Sequence, residues 1–243
     1  MNAPSISIII PAYNEENYLH ECLVSVFKQD PLFSYEVIVV DNNSKDRTYE
    51  VASTWKEKGI QLVSELRPGA TIARNTGARV ARAEILYFLD ADCRLPPDAL
   101  KKIMNVFTNN TSCQLVSGPY IYDRDGFIPK LATDTFHYFS LYHHVIKLLF
   151  GIYQFPGGNF AIKKKSFDTV GGFDETICNQ EIILPDDLDL ALRLQKDHTF
   201  NVLFKREYAV SSSFRRVKKS PIKHTLVRFF ATLKLLLNKE NLK

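Results

Sequence analysis

The chain has 243 residues, 45% of them hydrophobic and 24% charged, with a formal net charge of +4; that suits one globular domain of generous size. The charge is uneven: from Arg215 to the end nine Lys/Arg stand against one Asp/Glu, while the remainder carries 22 Lys/Arg against 26 Asp/Glu. A mildly acidic body with a basic tail excludes a general nucleic-acid binder, whose body would carry the basic patch, and permits a tail that rests on an anionic surface.

Taken in chain order, "ISIII" at 6–10 is a short apolar run stopped by Pro11. Glu15 to Phe27 has helical spacing, with Tyr18, Leu19, Cys22, Leu23, Val26 and Phe27 on one side and Asn14 as the expected N-cap. "YEVIVV" at 35–40 is a second buried strand ending at Asp41. A second helix follows over 44–58, with Ser44 as its expected cap. "IQLV" at 60–63 is a third strand, "GATIARNTGARVAR" a third helix entered at Gly69, and "EILYFL" at 84–89 a fourth strand ending at Asp90. Near-continuous apolar strands alternating with amphipathic helices predict an α/β protein with a parallel sheet covered on both faces. Ligands of such sheets bind beyond the carboxyl ends of the strands.

After about residue 97 the alternation breaks. "PPDALKKIMNVF" opens as a helix with proline in its first turn, "QLVSGPYIY" reads as a strand, and 131–150 is helical and aromatic. "GGNFAIKK", "GGFDE", "LPDDLDLALRL" and a strand "FNVLF" follow. The expected layout is a single domain over 1–214, whose first half, to about residue 95, reads as a nucleotide-binding layer and whose second half, 96–214, reads as a mixed extension packed on it, the half that would bind an acceptor under the resemblance described below. Residues 215–243 form a basic amphipathic helix suited to docking on the body or to lying on anionic lipid.

Cys22, Cys93, Cys113 and Cys178 form no CxxC pair and read as reduced thiols of a cytosolic protein. The start "MNAPSISIIIP" lacks the basic region and long apolar run of a signal peptide. No stretch reaches the roughly 18 apolar residues of a membrane span. The expected location is the cytoplasm, with the basic tail free to contact the inner face of the membrane.

The chemistry gathers at acids. In "YFLDADCRL" Asp90 and Asp92 end an apolar strand, where unpaired acids are costly. At strand spacing they lie on one side, roughly 6–7 Å apart at Cα. A hard cation such as Mg2+ or Mn2+ takes one or two carboxylates and completes its shell with substrate phosphates. A D-x-D here therefore suits a metal diphosphate; alone, it reads equally as a strand end and a turn. Asp186 and Asp187 open a helix after proline, where acids also serve as caps, and Asp189 is expected in the cap or an internal salt bridge. Gly157 and Gly158 let backbone approach a ligand closely or form a tight turn. Arg215 and Arg216 suit a diphosphate or a solvated loop.

Five blocks carry a resemblance: "SIIIPAYNEENYL", "VIVVDNNSKDRT", "ARNTGARVARAEILYFLDAD", "GGNFAIKKKSFDTVGGFDE" and "DDLDLALRL". Their order and spacing resemble family-2 glycosyltransferases over roughly residues 5 to 200. The resemblance implies a GT-A fold, a Rossmann-like, mostly parallel sheet with a mixed C-terminal extension. It also implies a nucleotide-diphosphate sugar donor, a divalent metal (Mn2+ or Mg2+) and inversion at the anomeric carbon. It assigns Pro11, Ala12, Tyr13 and Glu15 to the nucleotide pocket, Asp41 to the N–H of the base, and Arg74 to the base or diphosphate. Asp90 would sit near ribose and metal, Asp92 on the metal, and Gly158 and Asn159 near the donor sugar or acceptor. Asp187 would be the general base beside Asp186, with Arg215 and Arg216 near the diphosphate. The expected donor is a UDP-sugar, although Asn42 stands where the family often has a second acid. The acceptor would be a glycan or lipid-linked hydroxyl. Other readings of the same residues are a non-catalytic nucleotide-sugar binding module and a metal-dependent nucleotidyltransferase. A haloacid-dehalogenase-type phosphatase, with Asp90 as nucleophile, is the third; there the motif normally opens the domain.

Overall fold

A computed structural model describes residues 3–122, 151, 153–177, 186–197 and 199–213. The aromatic stretch 131–150, Cys178, Arg215, Arg216 and the amphipathic tail lie outside the described residues.

Strands β1 (Ile6–Ala12), β2 (Tyr35–Asp41), β3 (Ile60–Ser64) and β4 (Ile85–Leu89) run parallel in the order β3-β2-β1-β4. The seven-stranded sheet continues with β8 (Asn159–Lys163), β6 (Cys113–Ser117) and β9 (Asn201–Phe204). Only β8 runs against the rest. The expected mostly parallel sheet with a mixed extension is thus present.

The strand sequences explain the two layers. Successive side chains point to opposite faces. Ile6, Ile8, Ile10, Val37 and Val39 enter one core, with α1 (Leu19–Phe27) and α4 (Ala99–Asn109). Ile9, Ile38, Val40, Leu86 and Phe88 enter the other, with α3 (Ala70–Val80) and α6 (Asp186–Leu194). A strand buried on both faces has no polar side to show, hence its unbroken apolar run. Helix α3 lies so close that a Cβ on Gly77 would fall 2.4 Å from Ile9 Cγ2.

The register carries chain ends to one rim. Ala12 pairs with Asp41, and Leu89 with Asn159 across the antiparallel β4–β8 ladder. The carboxyl ends of β1, β2 and β4 and the start of β8 therefore lie on the same edge.

Several local expectations are corrected. Helix α1 begins at Leu19 rather than Glu15. Asn14, with φ at 55°, does not cap it: its Oδ1 accepts from Lys45 N–H at 2.8 Å, and its own N–H donates to Ser44 Oγ at 3.1 Å. Glu15 N–H donates to Thr48 Oγ1 at 2.7 Å. The loop after β1 is thus pinned to the loop after β2, while the Glu15 carbonyl accepts from the N–H groups of Tyr18 and Leu19 (both 3.0 Å) in a turn ahead of the helix. The second helix, α2, spans only Thr48–Ser53 before a 3-10 turn at Lys56–Lys58, and Ser44 faces Asn14 instead of capping it.

"QLVSGPYIY" is two strands. It breaks at Gly118–Pro119, and β7 (Tyr120–Tyr122) joins a second sheet in the order β5-β10-β7, with β5 at Cys93–Arg94 and β10 at Val210–Ser212. Pro119 has no N–H for a ladder. Gly118 lies where a Cβ would fall 2.3 Å from the Tyr208 carbonyl. This small sheet sets β7 and β10 beside the D-x-D. The remaining described helix, α5, spans Lys164–Thr169.

Candidate active site

At the β1 and β2 ends, Ala12 is buried and Tyr13 is 54% exposed. Pro11 pairs with Val40 just inside the rim. Glu15 and Asp41 are buried. Asp41 Oδ1 is shielded from solvent and has no hydrogen-bond partner among the described residues. A buried acceptor without a donor is costly, and a ligand N–H would remove the cost. Asn42 turns the other way. Its Nδ2 donates to the carbonyls of Glu65 (3.0 Å) and Arg67 (2.7 Å), and its Oδ1 accepts from Gly69 N–H (2.8 Å). An aspartate could take only the last of these, which explains an amide at this position.

The D-x-D follows β4. Asp90 Oδ1 accepts from Arg74 Nη2 at 3.0 Å and Oδ2 from Tyr120 Oη at 3.3 Å. Asp90 N–H donates to Gly158 O at 3.0 Å. A Cβ on Gly158 would sit 2.0 Å from the Asp90 carboxyl carbon. Gly158 therefore makes room for Asp90 itself. Asp92 is largely buried. Its Oδ2 accepts from Ser213 Oγ at 2.7 Å, and its backbone carbonyl accepts from Ser213 N–H at 3.3 Å. Behind it, Cys22 and Cys93 are fully buried. Burial, then the charges of Asp90 and Asp92, push both thiols up, so they stay protonated.

Arg74 is the hub. Helix α3 carries it into the interior, where Nη1 donates to Asp186 Oδ2 at 2.7 Å while Nη2 holds Asp90. Its guanidinium lies 5.4 Å from the centroid of Phe173. Burial alone would lower its pKa; the carboxylates of Asp186 and Asp90 outweigh that and raise it. Its charge is matched by two protein carboxylates.

Asp186 opens α6 and accepts from Asp187 N–H through Oδ1 at 3.0 Å. Asp187 is 2% exposed. Its Cβ would lie 3.4 Å from a Cβ placed on Gly157, so the acid pair meets the glycine loop. Asp189 forms the internal salt bridge, to Arg193 at 2.7 Å, and Arg193 Nη1 donates to the carbonyls of Val170 and Gly172.

Asn159, expected near the donor sugar or acceptor, has its side-chain amide engaged within the protein. It is fully buried. Its Oδ1 accepts from Tyr87 Oη (2.8 Å), and its Nδ2 donates to the carbonyls of Gly118 and Tyr208 (both 2.9 Å). It clasps the small sheet to the large one. Tyr120 and Ser213 are the site residues the sequence did not flag. They reach the acids only through β7 and β10, and no local motif marks them.

Among the described residues no group of three or more His, Cys, Asp or Glu forms a metal cage. Around Asp92 the Ser213 hydroxyl lies on Oδ2 and the protonated Cys93 thiol at 3.9 Å from Oδ1, so the carboxylate and the hydroxyl are the hard oxygen donors there. They fit a hard divalent cation that draws most of its ligands from a bound diphosphate and water.

A mostly parallel sheet whose carboxyl rim carries Asp41, a D-x-D and a helix-opening acid pair defines an α/β protein with its candidate ligand site at the carboxyl ends of the strands. The family model for glycosyl transferase family 2 matches residues 7–171, and the chain belongs to that family. This membership removes the phosphatase reading of Asp90. Glycosyltransferase AglE of Haloferax volcanii is 39% identical over 119 residues, covering 47% of this chain and 39% of that protein. Poly(ribitol-phosphate) beta-N-acetylglucosaminyltransferase TarP of Staphylococcus aureus is 33% identical over 119 residues, covering 47% and 36%. The chain thus spans well under two thirds of these relatives.

Two solved structures share the GT-A fold. S. aureus TarS 1–349 in complex with UDP superposes with a TM-score of 0.63 at 19% identity, over 86% of this chain and 60% of that one. The mannosyltransferase PcManGT of Pyrobaculum calidifontis, in complex with GDP-Man and Mn2+, gives 0.64 at 23%, over 87% and 57%. No helix among the described residues is long and apolar enough to cross a membrane.

Proposed function

We propose that this chain is an inverting, metal-dependent glycosyltransferase that moves a sugar from a nucleotide-diphosphate sugar, a UDP-sugar in the first instance, to a hydroxyl acceptor. The observation that carries the reading is the convergence on one rim of Asp41, Asp90, Asp92 and the Asp186–Asp187 pair, with Arg74 bridging Asp90 to Asp186, in a member of this family.

The nucleotide lies over the ends of β1 and β2, with Tyr13 and Glu15 at its edge and Asp41 accepting from an N–H of the base. Asp92 holds the metal-binding position, and Asp90 fixes the neighbouring wall. A divalent cation there, when bound, supplies Lewis-acid stabilisation of the departing diphosphate. The acceptor oxygen forms its bond to the anomeric carbon from the opposite face. The bond from that carbon to the diphosphate oxygen breaks with its electron pair on the phosphate. Asp187 takes the acceptor proton on its carboxylate as the new bond forms. Gly157, with no side chain of its own, faces Asp187 across the glycine loop.

The names of the similar TarP and TarS specify poly(ribitol-phosphate) as what they act on. A glycan or lipid-linked polymer is therefore the proposed acceptor class, with the basic segment 215–243 resting against an anionic membrane surface. Arg215 and Arg216 stand at its start, suited to a diphosphate.

Thermal unfolding with Mn2+ and UDP, GDP, TDP or CMP, repeated on Asp92→Ala, tests the donor half. A ligand that binds only the folded state raises Tm by mass action. A Mn2+-dependent rise with one nucleoside diphosphate, lost in the variant, is expected. No rise with any of them would sink the proposal.

A further inference from the structure

Both oxygens of Asp90 are held from within the protein, and one holder, Tyr120, belongs to a different sheet. Its hydroxyl donates to Asp90 Oδ2 at 3.3 Å and accepts from Gly158 N–H at 3.1 Å. Gly158 in turn accepts from Asp90 N–H through its carbonyl. Asp90, Gly158 and Tyr120 thus form a closed ring of three hydrogen bonds. Arg74 enters from the other side, takes Oδ1, and extends with its second arm to Asp186. The site is tight, since no Cβ fits at Gly158 against this carboxyl. Burial, then the charge of Asp90, pushes the Tyr120 phenol up, so it stays a donor.

We propose that Tyr120 is a positioning residue: with Arg74 it fixes the Asp90 carboxylate in one orientation. Through Arg74 the D-x-D and the start of α6 become one rigid unit. The proposal rests on the glycosyltransferase reading above, in which Asp90 borders the ribose and metal. Tyr120 acts through Asp90, whose Oδ2 its hydroxyl holds. A carboxylate freed on one side samples other rotamers, and part of the affinity for a metal nucleotide goes into re-ordering it. The role also explains why β7 leaves the main sheet at Gly118–Pro119. Only from the small sheet does Tyr120 reach the end of β4.

The test is a double-mutant cycle on Mn2+–UDP affinity, measured by calorimetry on the full chain, with GDP as the second probe. Tyr120→Phe keeps the ring and removes the hydroxyl. It is expected to raise Kd about five- to tenfold, the size of one modest hydrogen bond, with kcat measured at saturating donor falling alongside. Asp90→Asn raises Kd as well, and adding Tyr120→Phe to it is expected to raise Kd no further, because a residue that acts through another loses its effect with it. A merely structural Tyr120 would lower Tm and leave the Kd of the folded fraction unchanged. Gly158→Ala, whose Cβ would fall 2.0 Å from the Asp90 carboxyl carbon on the side that Tyr120 holds, displaces the same carboxylate, and it should reproduce the loss even if Tyr120→Phe folds poorly. Unchanged Kd in both variants, or additive losses in the cycle, overturns the assignment while the glycosyltransferase reading stands. Absence of Mn2+-dependent binding of all four nucleotides, UDP, GDP, TDP and CMP, by the unmodified chain overturns both.

Discussion

Arg74 and Asp186, 112 positions apart in the chain, are joined by a 2.7 Å ion pair inside the protein. The same guanidinium holds Asp90 at 3.0 Å. One cation thus stands between two acids that would otherwise face each other in a poorly solvated site. Breaking such a pair leaves an uncompensated buried charge, which costs far more than the intact pair contributes.

Arg74→Met is therefore expected to destabilise the fold by about 3–5 kcal/mol, the usual range for an orphaned buried charge. Arg74→Lys should recover only part of that, because a point ammonium cannot serve two carboxylates in the geometry of a planar fork. Urea denaturation of the two variants measures both numbers. A loss under about 0.5 kcal/mol for Arg74→Met, the scale of an ordinary surface substitution, would deny Arg74 its bridging role.

Asp187→Asn keeps the shape of the acid and removes its ability to take a proton. Turnover should fall about 10²–10⁴-fold, the span of general-base catalysis, while Mn2+–nucleotide affinity stays within a factor of two. Calorimetry and a donor-turnover assay, run on the same preparation, separate these quantities. Full activity with intact donor binding would move the base elsewhere.

The amide of Asn42 ties the loop 65–69 to the end of β2 through three hydrogen bonds. Asn42→Asp removes two donors and sets a carboxylate against two carbonyl oxygens. The expected loss is about 2 kcal/mol, smaller below pH 4 where a protonated acid donates again. Equilibrium unfolding at pH 7 and pH 4 gives the comparison. Equal losses at the two pH values would contradict this role.

Glu65 accepts from Arg67 and from Thr76 Oγ1. Hydrogen bonding to Arg67, against the opposing effect of burial, lowers its pKa from 4.5 to about 2. A folded-state pKa below the unfolded one means that the carboxylate adds stability above pH 4.5, and that this contribution is lost as the pH falls through about 2. Unfolding free energy should decline between pH 4.5 and 2. Glu65→Gln should flatten that limb in a denaturation series. An identical slope in the variant would exclude Glu65 as its source.

Much of the first half was legible because its signals are local. Ile6 to Ile10, Val37 to Val40 and Leu86 to Leu89 each read as buried strands, since burial on both faces leaves no polar position. Asp41, Asp90 and Asp92 were visible as acids where such runs stop. Boundaries failed where distant partners replaced local ones. Asn14 looked like a cap and instead holds Lys45 across the loops. "QLVSGPYIY" looked like one strand because its apolar and aromatic residues were weighed above Gly118–Pro119, a dipeptide that marks a turn and cannot complete a ladder.

What the sequence determined by itself was the order of strands and helices, the two apolar faces of the sheet, and the acids at its rim, all consequences of spacing over a few residues. What only the tertiary structure decided was who meets whom at that rim. Arg74 lies between Asp90 and Asp186, Tyr120 and Gly158 close around Asp90, Ser213 reaches Asp92, and Asn159 turns inward. These partners are 16 to 121 residues apart. Their meeting depends on strand register and on a second sheet, and no local period in a chain encodes either.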